Sequence, residues 1–258
     1  MLLLLLVVPP VLGIVGERNT SGAPDAVALP GSISGLIQVS VINLGLMVLI
    51  GAGVAWLGRP RWAELMADAR LGWKAWALGL GYSVLFRFAL GFVMMAALLF
   101  KVVVSGLQGR AVDTLDGLRP QIENMLDPTS LRDPVYLVFV TTVVSFIVAG
   151  LREELWRAAV FAGLARLSPR GLSPWGSRIG ASALAAVVFG LGHLTQGWSG
   201  VFLTGGLGFG LGLILLAHRS LWVAVLAHGF FNAASFVLLR LIDQSGQLDV
   251  LLGRPEGH

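Results

Sequence analysis

Three polar islands stand inside apolar stretches of this sequence: the pair Glu153-Glu154 flanked by Arg152 and Arg157, a lone His193, and His228 followed four residues later by Asn232. A carboxylate, two imidazoles and an amide suit two chemistries. In the first, a glutamate and a histidine take a proton from water while the other histidine and the asparagine donate hydrogen bonds to the oxyanion of a tetrahedral intermediate. That is peptide hydrolysis without a covalent intermediate. In the second, Glu153 or Glu154 joins His193 and His228 in a two-histidine, one-carboxylate zinc site. The HExxH spacing of common zinc proteases is missing, which favours the first chemistry and no bound cofactor. A third reading is an ion-paired patch that holds helices together, but one Arg–Glu pair would serve that end without two histidines and an asparagine. Cysteine is absent, so thiol nucleophiles, thiolate metal sites and disulfides drop out together.

These residues must be carried by membrane helices. The chain has 258 residues, 56% hydrophobic and 12% charged, and its mean hydropathy is +0.82. Eighteen Lys+Arg and 14 Asp+Glu cannot furnish the polar surface that a soluble domain of this length needs. About 20 apolar residues cross roughly 30 Å of hydrocarbon, and such windows lie at 33–57, 76–100, 134–167, 178–196, 199–217 and 220–241. A seventh, shorter window at 2–15 lacks a basic leader and contains Pro9-Pro10, so it reads as a short first span rather than a signal peptide. The expected fold is an all-α polytopic membrane protein of about seven transmembrane helices.

Costs in the membrane single out the same islands. A charged side chain near the bilayer centre costs roughly 2.5–3.5 kcal/mol on insertion scales, which makes an intramembrane cluster a functional hypothesis by default. Arg87, in Phe86-Arg87-Phe88, is a further intramembrane cation that could pair with a site acid or be buried for structure. At 1.5 Å per residue, Glu153 lies about 21 Å from residue 167, His193 about 22 Å from residue 178 and His228 about 12 Å from residue 220. The three depths differ by roughly 10 Å, so one cavity can hold them.

The connections set orientation. Arg59, Arg61, Arg70 and Lys74 fall in 58–75, Arg166, Arg170 and Arg178 in 166–178, and Arg219 in 217–220. These loops share one side if the spans alternate, and the positive-inside rule makes it cytoplasmic. The net charge of +4 is thereby assigned to loops facing anionic lipid, not to nucleic acid. The polar segment 104–133 is broken by Pro120 and Pro128 and is expected to lie on the membrane as a short amphipathic helix. The glycine-rich run 205–212 is expected to pack helices closely, since a nucleotide loop would need a preceding strand.

Glu153-Glu154 followed by Arg157, then Phe189-x-x-x-His193, then His228-x-x-x-Asn232, in that order over about 134–241, resembles the CPBP family, also called ABI: CAAX prenyl endopeptidases and bacteriocin-processing or immunity proteins. The resemblance implies an all-helical intramembrane endopeptidase of the glutamate type in a bacterial-type plasma membrane, its site open to the cytoplasm and its partners lipid and a peptide or lipidated protein. It divides the chain into N-terminal helices over 1–133, a catalytic core over 134–241 and a short tail over 242–258. Carried over, Glu153 with His193 activates water, His228 and Asn232 stabilise the oxyanion, Glu154 is the second glutamate and Phe189 packs beside the site. A prenylated C-terminal motif, a bacteriocin leader and a signalling-peptide precursor are all compatible substrates. Within the same family a non-enzymatic immunity or scaffold role is the alternative.

One spacing departs from the family pattern. Three residues usually separate the glutamate pair from the arginine, whereas only Leu155 and Trp156 intervene here. At about 100° per residue, Arg157 sits roughly 40° from Glu153 and 60° from Glu154, so it can pair with either. Arg152 could likewise neutralise one glutamate or face the lipid interface.

Overall fold

The computed structural model describes residues 2, 5–7, 29–59, 61, 63–67, 71–108, 125–168, 171–172 and 174–246. Among them the chain is helical, in the order α1 (Ile33–Gly58), α2 (Trp73–Leu107), α3 (Pro134–Phe139), a π-helical segment (Val140–Leu151), α4 (Arg152–Leu167), α5 (Trp175–Leu191), α6 (Gly197–His218) and α7 (Leu221–Gln244). The protein is an all-α polytopic membrane protein. Among the described residues, five runs are long and apolar enough to cross a membrane: Ile33–Gly53, Trp73–Leu107, Pro134–Leu167, Leu194–His218 and Leu221–Gln244.

Local chemistry sets the boundaries. Ser32 caps α1 by accepting from the Gly35 amide at 3.2 Å, satisfying one of the amides that a helix start leaves unpaired. Asp133 caps α3 by accepting from the amides of Val135 at 2.7 Å and Tyr136 at 3.3 Å. Pro134 occupies the first helical position, where its missing N–H is no loss. The π-helical segment is reinforced by Ser145, whose hydroxyl donates to Val140 O five residues back at 2.7 Å.

Three expectations need adjustment. The window 178–196 is not one long span: α5 has 17 residues and stops at Leu191. Gly197 follows at φ 76, a conformation open to glycine and strained for other residues, and α6 begins there, at the division expected between the windows 178–196 and 199–217. His193 therefore lies in the turn after α5 and not on a membrane helix. The window 76–100 is too short, because α2 runs on to Leu107. The amphipathic helix expected within 104–133 falls largely on 109–124, outside the described residues, as do residues 8–15 of the first window.

The π-helical segment and α7 form an antiparallel pair at the centre. Phe146 meets Phe230 edge to face, with ring centroids 5.2 Å apart. A methyl at Gly150 would come within 3.1 Å of the Val225 carbonyl, so the backbones touch at that level. Beyond them Leu36, Leu126, Leu131, Tyr136, Val140, Val144 and Phe236 form one buried cluster. Arg132 closes the far end with two bonds to Asp243 at 2.8 and 2.9 Å. On the other flank α5 lies along α6, and part of the glycine run does what close packing requires: a methyl at Gly205 would meet the Ala186 carbonyl of α5 at 3.4 Å. Large side chains such as Val41, Leu49, Phe88, Phe92 and Phe100 point outward, each more than 60% exposed. Only a lipid environment makes that many exposed apolar groups favourable.

The three basic loops converge on one face. Arg166 reaches Glu64 at 2.6 Å and the carbonyls of Gly58 and Arg59, while the Leu221 amide donates to Met66 O at 2.7 Å. Loops 58–66, 166–172 and 219–221 thus share an end of the bundle, as strict alternation requires.

Arg87 pairs with none of the site acids. It donates to Ser83 Oγ at 2.6 Å and Ser83 O at 3.1 Å, and to the carbonyls of Phe230 and Phe231 in α7. It also lies 4.7 Å from the centre of the Phe231 ring. It is a structural tie between α2 and α7. Arg87→Met is expected to cost about 2 kcal/mol, the range for bonds to charged groups, whereas Phe88→Ala, at a residue 75% exposed, should stay within about 0.5 kcal/mol. Thermal unfolding of both variants in one detergent checks the contrast.

Candidate active site

Three elements bring the site together: the first turn of α4, the middle of α7 and the C-terminal end of α5. Side chains of a helix lean toward its N-terminus. In the antiparallel pair, Glu154 therefore leans back toward the level of Gly150, and His228 leans back toward that of Val225, where the two backbones touch. The lean closes an offset in sequence register, and His228 Nδ1 stands 2.9 Å from Glu154 Oε1.

Glu154 is fully buried, and so is Arg157, which forms an ion pair with Glu154 Oε2 across one helical turn. This decides which acid Arg157 serves. Its other N–H groups have no oxygen partner among the described residues, and its guanidinium lies instead over two aromatic rings, 5.0 Å from the centre of Phe189 and 6.0 Å from that of Trp156. The arrangement is a cation–π stack in a desolvated setting. Trp156 and Phe189 themselves stack with centroids 6.4 Å apart. Both carboxylate oxygens of Glu154 are thus committed, one to a cation and one to an imidazole.

Glu153 faces the more open side. Its side chain is 14% exposed against 0% for Glu154. Oε1 accepts from Arg152 Nη2 at 2.7 Å, and Oε2 lies 3.7 Å from His228 Nε2. His228 therefore bridges the two glutamates, one ring nitrogen toward each. Arg152, partly exposed, donates in turn to Asn43 Oδ1 of α1. Asn43 is a contact that sequence reading missed. Its amide, the deeper of two in the apolar window 33–57 beside Gln38, was the available signal.

His193 Nδ1 lies 2.9 Å from Phe189 O. A carbonyl only accepts, so Nδ1 carries the hydrogen and the neutral ring presents a lone pair at Nε2. The ring packs against Phe189 with centroids 4.6 Å apart, and Phe189 also meets His228 edge to face at 6.2 Å. His193 lies within electrostatic reach of Glu153. Asn232 is half-buried one turn beyond His228, and no hydrogen bond joins it to the other site residues among those described. Glu153, Glu154, Arg157, Phe189 and His228 are in contact, His193 is held through Phe189, and Asn232 stands at the edge.

The alternative zinc ligands Glu153, His193 and His228 do not form a group. Among the described residues, no three His, Asp or Glu side chains gather at metal-binding spacing, and His228 Nδ1 is engaged by Glu154.

The aromatic wall tolerates little change. A methyl at Gly208 on α6 would stand 2.7 Å from Phe189 Cδ1 and 3.4 Å from Arg157 Nη2. Gly208→Ala is expected to cost about 1–3 kcal/mol by overpacking. Adding Phe189→Leu should recover part of the loss, and a double variant less stable than the sum of the singles would contradict this account.

Residues 134–234 match a family model described as type II CAAX prenyl endopeptidase Rce1-like, a stretch that contains Glu153, Glu154, Arg157, Phe189, His193, His228 and Asn232. Neither the curated proteins nor the solved structures yield a match to the chain. With the helical architecture and this stretch in hand, residues 134–234 are similar to the type II CAAX prenyl endopeptidases of the Rce1-like family, which supports the resemblance to the CPBP family.

Proposed function

We propose that the protein is an intramembrane endopeptidase that hydrolyses a peptide bond near the cytoplasmic membrane face, using water activated by Glu153 and His193. The observation that carries the reading is the unequal enclosure of the two glutamates: Glu154 is fully buried with both oxygens committed to Arg157 and His228, while Glu153 is partly exposed and its Oε2 has only His228 Nε2 near it, at 3.7 Å. Water placed between Glu153 and the Nε2 lone pair of His193 loses a proton as its oxygen attacks the scissile carbonyl carbon. With Nδ1–H donated to Glu154, a protonated His228 directs Nε2–H toward the developing oxyanion, and Asn232 supplies a second donor. Collapse of the tetrahedral intermediate breaks the C–N bond, and the amine leaves with the proton that Glu153 took up. Glu154 and Arg157 act as positioning residues for the imidazole.

Substrates of this reading are peptides or lipidated proteins. The test is cleavage of a panel of lipidated and transmembrane peptides by the purified protein. Activity should be lost in Glu153→Ala and His193→Ala, and folded variants that retain it would overturn the proposal. Metal analysis of the same preparation separates the water-activation chemistry from the zinc alternative, which requires stoichiometric zinc and chelator-sensitive activity restored by zinc. An immunity or scaffold role is separated in another way: its biological effect and partner capture would survive Glu153→Gln and His228→Ala.

A further inference from the structure

At the basic end of the bundle, away from the glutamate pair, a cavity of about 420 Å³ opens between the ends of α4, α5 and α6. That is within the range of about 300–1,000 Å³ usual for small-molecule sites. Three cations line it, Arg166, Arg178 and Arg219, against one acid, Glu64. Arg166 is bound to Glu64 at 2.6 Å. Arg178 uses Nε on the Leu172 carbonyl at 3.0 Å and is stacked 5.1 Å from the centre of the Trp175 ring. Neither Arg178 nor Arg219 forms an ion pair among the described residues. Arg219 stands at the end of α6 with φ 49 and ψ 38, a left-handed conformation in which glycine is the usual residue.

The deeper wall is apolar, with Phe161 and Leu216 among its residues. The level of the cavity in the membrane follows from tryptophan. Trp56, Trp73, Trp175 and Trp222 all lie near helix ends on this face and are 77, 75, 63 and 39% exposed. Tryptophan at helix ends marks the headgroup layer of a bilayer. A pocket with net positive charge, an apolar floor and this depth matches one ligand chemistry.

We propose that this cavity binds the phosphate group of an anionic phospholipid, with the guanidinium groups of Arg178 and Arg219 on the phosphate oxygens and the start of the acyl chains against Phe161 and Leu216. The site is independent of the proteolytic reading and stands or falls separately from it.

The experiment uses the full chain in nanodiscs of phosphatidylcholine alone and of phosphatidylcholine with phosphatidylglycerol, with retained lipid read by native mass spectrometry and thermal stability read in parallel. Phosphatidylglycerol should be retained in preference and should raise the unfolding temperature. Arg178→Gln/Arg219→Gln should lower that preference roughly 30-fold, two basic side chains near a membrane surface each contributing several-fold. The lysine pair Arg178→Lys/Arg219→Lys should restore most of it, which separates lost binding from lost folding. Arg59→Gln/Lys74→Gln removes two charges from the same face outside the cavity and should change the preference little. No preference for the anionic lipid, or an equal loss in the Arg59/Lys74 variant, would overturn the proposal. So would full protection by millimolar inorganic phosphate in neutral nanodiscs, which would assign the cavity to free phosphate.

Discussion

Glu153→Gln is expected to lower peptide cleavage by about 10²–10⁴-fold, the usual contribution of a positioned acid–base group, with little change in unfolding temperature. The substitution replaces a carboxylate by an isosteric amide that cannot take a proton from water. Little stability is lost because the partner of Glu153 is Arg152, whose side chain is 32% exposed and also bound to Asn43. Exposed or partly exposed ion pairs contribute roughly 0–1 kcal/mol. Single-turnover cleavage and thermal unfolding on one preparation separate the two effects. Undiminished cleavage by a folded Glu153→Gln protein would remove Glu153 from the chemistry, and Glu154 would then have to be tested in its place.

The opposite signature belongs to Arg157→Met, for which we expect a loss of about 3–5 kcal/mol in stability, because removing one member of a buried pair leaves the other charge uncompensated. Both side chains of the Arg157–Glu154 pair are fully buried, so no water can solvate the carboxylate left behind. Glu154→Gln/Arg157→Met removes both charges and should regain most of the loss, since an amide can still accept from His228. Unfolding curves of the two proteins decide the matter, and a double variant as unstable as the single one would mean that packing against Phe189 and Trp156, rather than charge, sets the cost. Cleavage should fall in either variant, because the Glu154 side chain that orients His228 loses its own partner in the single variant and its charge toward the imidazole in the double one.

How much of this was legible beforehand differs from residue to residue. The helical class followed from composition, since 12% charged residues cannot solvate a globule of this size. The continuous run 134–167 was placed at its observed limits, Pro134–Leu167, because Arg132-Asp133 before it and Ser168-Pro169-Arg170 after it bound the apolar stretch in the sequence itself. The three basic loops were grouped on one face by alternation alone, and Arg166 and Leu221 make the contacts that bring them together. The window 178–196 was drawn too far at its C-terminal end because windowed hydropathy does not register where a helix stops: α5 ends at Leu191 and His193 follows in the turn. Asn43 went unmarked because an amide in an apolar window carries no sign of its partner in the sequence, and Gln38 stands in the same window.

The sequence by itself determined the chemical inventory: two adjacent carboxylates, two imidazoles, an amide and two flanking arginines, on apolar segments whose length requires a membrane. Their pairing was left open. Angles on an isolated helix put Arg157 about equally near Glu153 and Glu154, and no local rule could separate them. Only the tertiary structure did so, by burying one face of α4 against α6 and the aromatic pair Trp156–Phe189, where Arg157 is desolvated and meets Glu154. The other face looks toward α1, where Arg152 takes Glu153. The physical reason is that an ion pair is chosen by which acid shares the cation's desolvated environment, and that environment is made by neighbouring helices rather than by spacing along one.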